Sequence, residues 1–250
     1  MKNSTPIKKK NNRKPGIEKG RFNKFQYEFL SATSHQLRTP LSTMQSSLDL
    51  LEFYIKKENV TRQLQVLSKL KKSLGGINET LNKITVLYKH HLKKQELNIE
   101  EIAIRKFIND LLADIITSIG SSHLINVNFN SDNNIIYADE FALKQIMFNL
   151  ISNAVKFSPA GSEILINIKI DKKNFEVSIK DEGIGINKKY LPNLYEPFFR
   201  GKNALIYDGA GLGLAIVKKL VDLHKAKIEC FSKINNGTEF KLMFPQRKKT

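Results

Sequence analysis

Cysteine occurs once in the 250 residues, at Cys230. That excludes an internal disulfide framework and fits a reducing compartment, so a cytoplasmic location is expected. Runs of 18 or more apolar residues are missing, so no segment reads as a membrane span. The basic N-terminus is not followed by an apolar core and does not read as a secretory signal. Two common phosphate-loop signatures are also missing: there is no Gly-Lys-Ser/Thr, and no Gly-x-Gly-x-x-Gly opening a βαβ unit. Acidic residues are scarce, 24 against 41 Lys and Arg, for a net charge of +17. Residues 1–25 hold nine of those cations against Glu18 alone, so about half of the excess sits in a short arm. Residues 1–21 are expected to be disordered and solvated. No aromatic residue lies among the charges of residues 1–21, so no specific nucleic-acid partner is expected.

What remains is an ordinary globular composition, 41% hydrophobic and 26% charged, with length for one to two cored domains. From Tyr27 to Ile55 the apolar residues Tyr27, Leu30, Leu37, Leu41, Met44, Leu48, Leu51 and Ile55 alternate at three and four spacings, and Ser34 fills the vacant slot. Leu67, Leu70, Leu74, Ile77, Leu81, Ile84 and Tyr88 continue that rhythm. Both runs predict long helices in coiled-coil-like packing, joined as a hairpin through Lys56-Lys57-Glu58-Asn59. Two helices alone bury too little apolar surface, so pairing with a second copy into a four-helix bundle is expected. Gly75-Gly76 weakens the second helix and marks a hinge or a close helix crossing.

Beyond Leu92 the periodicity changes. Leu97–Ile104 and Ile125–Phe129 alternate as strands around a helix from Ile104 to Ile119. Asp139–Phe157 reads as a helix capped by Asp139, and Ala210–Leu223 as another. Ile164–Ile170 and Phe175–Ile179 form a hairpin through Asp171-Lys172-Lys173-Asn174; Lys227–Phe231 and Thr238–Met243 form a second through Asn235-Asn236-Gly237. The fold class is thus an all-α helical hairpin at residues 22–92, followed at 93–250 by an α+β sandwich with helices on one face of a mixed sheet.

Three motifs carry chemistry. In the heptad frame of the first helix His35 falls at b, off the apolar seam, where an imidazole near its ordinary pKa is partly neutral and nucleophilic. Thr39 stands one turn on over the same face, and Pro40 frees the carbonyl of Gln36. Asn149, Asn153 and Lys156 share one face of the Asp139–Phe157 helix; amide oxygens suit Mg²⁺ and an ammonium suits phosphate. Asp181-Glu182-Gly183-Ile184-Gly185 follows a strand, and Gly209-Ala210-Gly211-Leu212-Gly213-Leu214 opens a helix, where backbone N–H groups can approach phosphate. His90-His91 are adjacent rather than at chelating spacing, so no zinc site is implied.

Ser34-His35-Gln36-Leu37-Arg38-Thr39-Pro40-Leu41, joined to these Asn-rich and Gly-rich elements, resembles the sensor histidine kinase family over roughly residues 22–245. The resemblance implies an ATP-dependent autokinase that phosphorylates His35 and passes the phosphoryl group to an aspartate of a response-regulator receiver domain. It implies that Asn153, supported by Asn149, holds Mg²⁺ on the phosphates of ATP, with Lys156 beside them. Asp181 would accept from the adenine amine, with Gly183 and Gly185 shaping that wall and Phe157 packing near the base. Gly209, Gly211, Gly213 and Leu214 would cradle the phosphates. In Tyr195-Glu196-Pro197-Phe198-Phe199-Arg200, Phe198 and Phe199 would dock a lid over Asn187–Asp208, with Arg200 on the terminal phosphate. Thr238 would belong to the closing turn, and Thr39 would position a hydrolytic water.

Two positions depart from the pattern. The family carries Glu or Asp where this chain has Gln36, and an amide cannot take the ring proton, so slow autophosphorylation is expected. A regulator-directed phosphatase or an ATP-binding scaffold with weak kinase activity is therefore the alternative. The usual Gly-Gly after the helix histidine is replaced by Lys225-Ala226 after His224. Input signal, cognate regulator and cis or trans labelling stay open, as does whether the chain is part of a longer membrane kinase.

Overall fold

The computed structural model describes residues 15–92, 97–119, 123–207 and 209–246. It divides into two compact units, Met1–Ser73 and Leu74–Thr250.

The first unit contains helix α1 (Pro15–Lys56) and the first part of α2 (Val60–Leu92). Pro15 suits the first helical position, where its missing N–H would have no intrahelical partner. Residues 15–21, expected in a disordered arm, are therefore helical, and Phe22, Phe25 and Phe29 extend the three-four rhythm behind them. The helix is unbroken at Pro40. Glu58 takes a left-handed φ of 52° in the turn, and Asn59 caps α2 by accepting from the Arg62 N–H at 3.0 Å. Met44, Ser47, Leu51 and Tyr54 on α1, and Gln63, Val66 and Leu70 on α2, are turned inward. Leu41, Leu48 and Ile55, expected in the same seam, are exposed, because one helical partner covers only one strip of a helix. Within the chain, a Cβ added at Gly75 or Gly76 meets nothing within 4 Å among the described residues.

The second unit continues with β1 (Glu100–Ala103), α3 (Ile104–Ile119), β2 (Leu124–Phe129), β3 (Ile135–Ala138), α4 (Glu140–Phe157), β4 (Glu163–Ile170), β5 (Asn174–Asp181), α5 (Gly213–Leu223), β6 (Lys227–Ser232) and β7 (Thr238–Pro245). Five strands form one sheet in the order β2-β4-β5-β7-β6, parallel between β2 and β4 and antiparallel elsewhere. β1 pairs with β3 in a separate two-stranded ribbon of four residue pairs. The strand expected over Leu97–Ile104 is cut to that length because β3, which has no periodic signal of its own, offers only four partners.

Alternation along β4, β5 and β7 sends Ile164, Ile166, Ile168, Phe175, Val177, Ile179, Phe240, Leu242 and Phe244 to one face. The apolar stripes of α3, α4 and α5 cover that face, with Ile108, Leu111, Ile146, Leu150, Ile216 and Leu220 all buried. The other face is polar, with Asn128, Asn167 and Ser178 hydrogen-bonded in a row across three strands. This is the expected sandwich, helices on one face of a mixed sheet. Both expected hairpins form. In the first, Asp171 Oδ1 accepts from the Lys173 and Asn174 N–H groups at 2.7 and 2.8 Å. In the second, Asn235 and Gly237 supply left-handed φ values of 59° and 72°.

α5 ends in a Schellman motif: the Ala226 N–H donates to Val221 O at 3.0 Å and the Lys225 N–H to Asp222 O at 3.0 Å. Lys225 sits at the left-handed position with φ 54°, where the family has glycine. The turn thus closes as a Schellman motif with no glycine at this position.

Candidate functional site

The register of β5 and β7 opposes Asp181 to Thr238, and this pairing builds the base of the site. Asp181 Oδ1 accepts from the Thr238 N–H at 3.0 Å and the Gly183 N–H at 2.8 Å. Both bonds fall on one oxygen, which leaves Oδ2 for an incoming donor. Asp181 is buried, and that burial pushes its carboxyl above the usual range while the two N–H groups pull the other way. Gly185 and Gly237, both at positive φ, let the turn after β5 lie against the β6–β7 hairpin. A Cβ at Gly185 would run into the Lys233 carbonyl, and one at Gly237 into the Asp181 carbonyl. Ser232 Oγ ties the corner by accepting from the Ile186 N–H at 2.8 Å and donating to Gly237 O at 2.8 Å.

Asp139 starts α4 by accepting from the Ala142 N–H at 2.9 Å, as its sequence position predicts. The helix then presents Asn149, Asn153, Lys156 and Phe157. Asn149 is buried; its Nδ2 donates to Gln145 O at 2.7 Å, and its Oδ1 faces the first residue of α5, Gly213. Asn153 is half-buried one turn further on. Lys156 Nζ lies 4.6 Å from the Phe157 ring centroid and beside Gly209. The Phe157 carbonyl accepts from the Ile184 N–H at 3.1 Å, which locks the end of α4 to the Asp181 turn.

Gly209 and Gly211 have φ values of 141° and 70°. No helix can include them at those angles, so α5 begins at Gly213 rather than at Ala210 as expected. Its N-cap residue, Leu212, supplies no side-chain hydrogen bond, so the first-turn N–H groups have no side-chain cap. Leu214 follows in that first turn and is half-buried. The segment from Asn187 to Tyr207 is tied to this region through Phe198 and Asn203 and carries 3-10 turns at Lys188–Asn193 and Lys202–Ala204. The Phe198 N–H donates to Gly211 O at 2.9 Å, and Phe199 packs edge-on against Tyr190 with centroids 5.8 Å apart. Arg200 Nη2 donates to the carbonyls of Ala204 and Tyr207. Asp208, the expected end of the lid, lies outside the described residues.

The second unit thus brings together Asn149, Asn153, Lys156, Phe157, Asp181, Gly183, Gly185, Gly209, Gly211, Gly213 and Thr238. Sequence reasoning missed Asn203, whose Nδ2 donates to Gly185 O at 3.0 Å, and Tyr207, whose ring rests on Phe157. Neither lies in a periodic segment; the only available signal was their place between two motifs. In the first unit His35 and Gln36 lie on α1, and their side chains are outside the described residues. Thr39 is exposed, and its carbonyl accepts from Thr43 Oγ1 at 3.1 Å.

A buried carboxylate beside a glycine-lined helix start, opposite an Asn-rich helix, defines an ATP-binding module. Residues 138–248 match the family described as histidine kinase-, DNA gyrase B- and HSP90-like ATPase, and residues 25–91 match the His Kinase A (phospho-acceptor) domain. With both modules in this order, the chain belongs to the sensor histidine kinase family.

It is 32% identical to the autoinducer 2 sensor kinase/phosphatase LuxQ of Vibrio vulnificus over 235 residues, covering 90% of this chain and 27% of that protein. To the sensor histidine kinase WalK of Bacillus subtilis it is 32% identical over 228 residues, 88% of this chain and 36% of that one. The chain therefore spans about a quarter to a third of the length of these relatives. The solved structure of the histidine kinase AdeS of Acinetobacter baumannii superposes with a TM-score of 0.65 over 86% of this chain and 98% of that one. At 21% identity that likeness establishes the fold. Among the described residues no helix is long and apolar enough to cross a membrane.

Proposed function

We propose that the chain is the transmitter of a two-component system, an autokinase that moves the terminal phosphoryl group of ATP to His35. The observation that carries this reading is the Asp181 pocket. Its Oδ1 is committed to two backbone donors, which leaves Oδ2 as an acceptor, and the Gly183 that follows it lies against the Phe157 carbonyl. That geometry suits the amine edge of adenine, with the phosphates running to the start of α5.

A neutral ring nitrogen of His35 attacks the γ-phosphorus in line, the N–P bond forms, and the bond to the β,γ-bridging oxygen breaks to release ADP. Lys156 balances charge along the phosphates and Arg200 on the terminal one, and the first-turn N–H groups of α5 hold them. The amide oxygen of Asn153 is suited to hold Mg²⁺, with Asn149 fixing the helix contact behind it; the ion, when bound, would supply further neutralisation of phosphate charge. The phosphoryl group then passes to a carboxylate on a receiver domain. Dependence on ATP places this work in the cytoplasm.

Six exposed aliphatic residues, Leu41, Leu48, Ile55, Val60, Leu64 and Leu67, support a homodimer joined through the hairpin. We assign residues 22–92 to this dimerisation and phosphotransfer hairpin and 93–250 to the catalytic domain. Gln36 favours a second reading, a regulator-directed phosphatase with weak kinase activity; a relative named a sensor kinase/phosphatase supports it. Incubation with γ-labelled ATP and Mg²⁺ separates the two. The kinase reading expects acid-labile label on the wild type and none on His35→Ala; an unlabelled wild type that binds ATP leaves the second reading.

A further inference from the structure

The lid carries an aromatic contact that the proposed ATP site does not yet use. The Tyr207 ring packs against Phe157 with centroids 5.0 Å apart at 66°. Phe157 is fixed in turn. Its carbonyl accepts from the Ile184 N–H at 3.1 Å, and a Cβ on Gly183 would stand 2.6 Å from that same carbonyl oxygen. The backbone of Phe157 is therefore fixed against the Asp181 turn, and its ring lies against Tyr207 and Lys156 Nζ, its centroid 4.6 Å from the ammonium.

Tyr207 is also held from behind. The single Nη2 atom of Arg200 donates to Ala204 O at 2.6 Å and to Tyr207 O, bridging two carbonyls three residues apart. That bridge folds the end of the lid back on itself. Asn203, inside the bridged loop, anchors it to Gly185 O at 3.0 Å. The neighbouring apolar residues point away: Leu205 is 59% and Ile206 85% exposed. The inward turn of Tyr207 is therefore a specific product of this bridge, since a general apolar collapse would have taken Ile206 first. The bridge uses both hydrogens of Nη2 and leaves Nε and Nη1 of Arg200 as donors for an anion.

We propose that Tyr207 is a purine-binding residue, forming with Phe157 an aromatic wall for the base, and that Arg200 is its positioning residue. This rests on the ATP-site reading above and gives Arg200 a role that does not involve the terminal phosphate. Stacking on an aromatic ring tolerates any purine, so the wall supplies affinity while Asp181 supplies selectivity for an amine.

ADP separates the two roles of Arg200, because it lacks the terminal phosphate. The test is calorimetric titration of the full chain with ADP and Mg²⁺. Tyr207→Ala should weaken binding about tenfold, within the range that loss of one base–aromatic contact produces. Arg200→Ala should weaken ADP by a similar factor, and the double variant should lose little more than either alone. Tyr207→Phe should bind as the wild type does. The chain has no tryptophan, so Tyr207→Trp is a unique fluorophore. Its emission should shift on adding ADP, and the shift should vanish when Arg200→Ala is added. Unchanged ADP affinity in Arg200→Ala, or strictly additive losses in the double variant, would overturn the proposal and leave the ATP site standing. A wild type that does not bind ADP would overturn both.

Discussion

Asn149 on α4 and Gly213 at the start of α5 meet so closely that a Cβ built on Gly213 would lie 2.8 Å from Asn149 Oδ1. The amide cannot swing away, because its Nδ2 donates to Gln145 O at 2.7 Å and the residue is buried. Glycine at 213 thus serves close approach of two helices, and that approach sets where the first-turn N–H groups of α5 point. Gly213→Ala should force the helices apart. Overpacking of this kind costs about 1–3 kcal/mol, to be read as a lower urea midpoint. Nucleotide affinity should fall with it, and a variant with wild-type stability and wild-type ADP binding would contradict the packing argument.

Asp181 supports a sharper chemical test. In Asp181→Asn the amide oxygen can still accept from Gly183 and Thr238, so the β5–β7 corner should survive. The other position becomes an NH₂ group facing the adenine amine, donor against donor. ADP affinity should drop by about a hundredfold or more while thermal stability changes little, because sites built to pair a ligand group reject its mismatch strongly. Equal ADP affinity in the two proteins would show that Asp181 does not read the base.

His224 joins the end of α5 to the start of α4. Its Nδ1–H donates to Leu220 O at 2.8 Å and its Nε2 accepts from the Asp139 N–H at 3.2 Å, so the ring is neutral in the fold. Burial holds its pKa below the ordinary value of 6.5, against the opposing pull of the Leu220 bond and of Asp139. A group whose folded pKa is depressed binds more protons when unfolded, so folding stability rises with pH across that window. The contribution is complete above about 6.5 and is lost as pH falls from there toward the lower folded value. Urea titrations between pH 8 and pH 5 should show this slope in the wild type and a smaller one in His224→Gln. Identical slopes would remove His224 as the source.

Much of this arrangement was legible in the sequence because it rests on periodicity and local caps. The alternation in β4 and β5, the Asp171–Asn174 turn and the Asp139 cap are all local, and each is found where its residues require. What escaped was set by distant partners. β3 is four residues long and exists because β1 pairs with it. The helix expected from Ala210 starts three residues later for a local reason, since glycines at 209 and 211 are used for their positive φ. Which α1 residues face inward could not be read either. Leu48 and Met44 look equivalent in the heptad, and only the placement of α2 leaves Leu48 exposed. Tyr207 was invisible because its contact depends on an arginine seven residues earlier in an aperiodic segment.

Position 36 offers a test of the phosphoryl step that is independent of the fold. A carboxylate can draw off the ring proton of His35 and offset the charge on imidazolium, which an amide cannot do. Gln36→Glu should therefore raise the rate of His35 labelling at saturating ATP by about a hundredfold, the lower end of the range of general base catalysis. The midpoint for ATP should stay put, because the change lies outside the nucleotide pocket. An unaltered labelling rate would mean that proton removal does not limit the reaction.

The hairpin makes the last prediction. Leu48 is 46% and Leu64 62% exposed on the two helices of one unit, and each is a large aliphatic side chain on an unpartnered strip. Burying such a side chain is worth about 1.5–3 kcal/mol, and a symmetric dimer buries every contact twice. Replacing both with lysine touches four side chains per dimer and places like charges across the interface, so the dissociation constant should rise by at least about a thousandfold. Sedimentation of the wild type should give a dimer, and the Leu48→Lys, Leu64→Lys variant a monomer that still binds ADP. The retained nucleotide binding matters, because the proposed ATP site draws its residues from the second unit. If the double variant sedimented as the wild type does, the exposed strip would not be the dimer interface, and the hairpin would have to pair through another face.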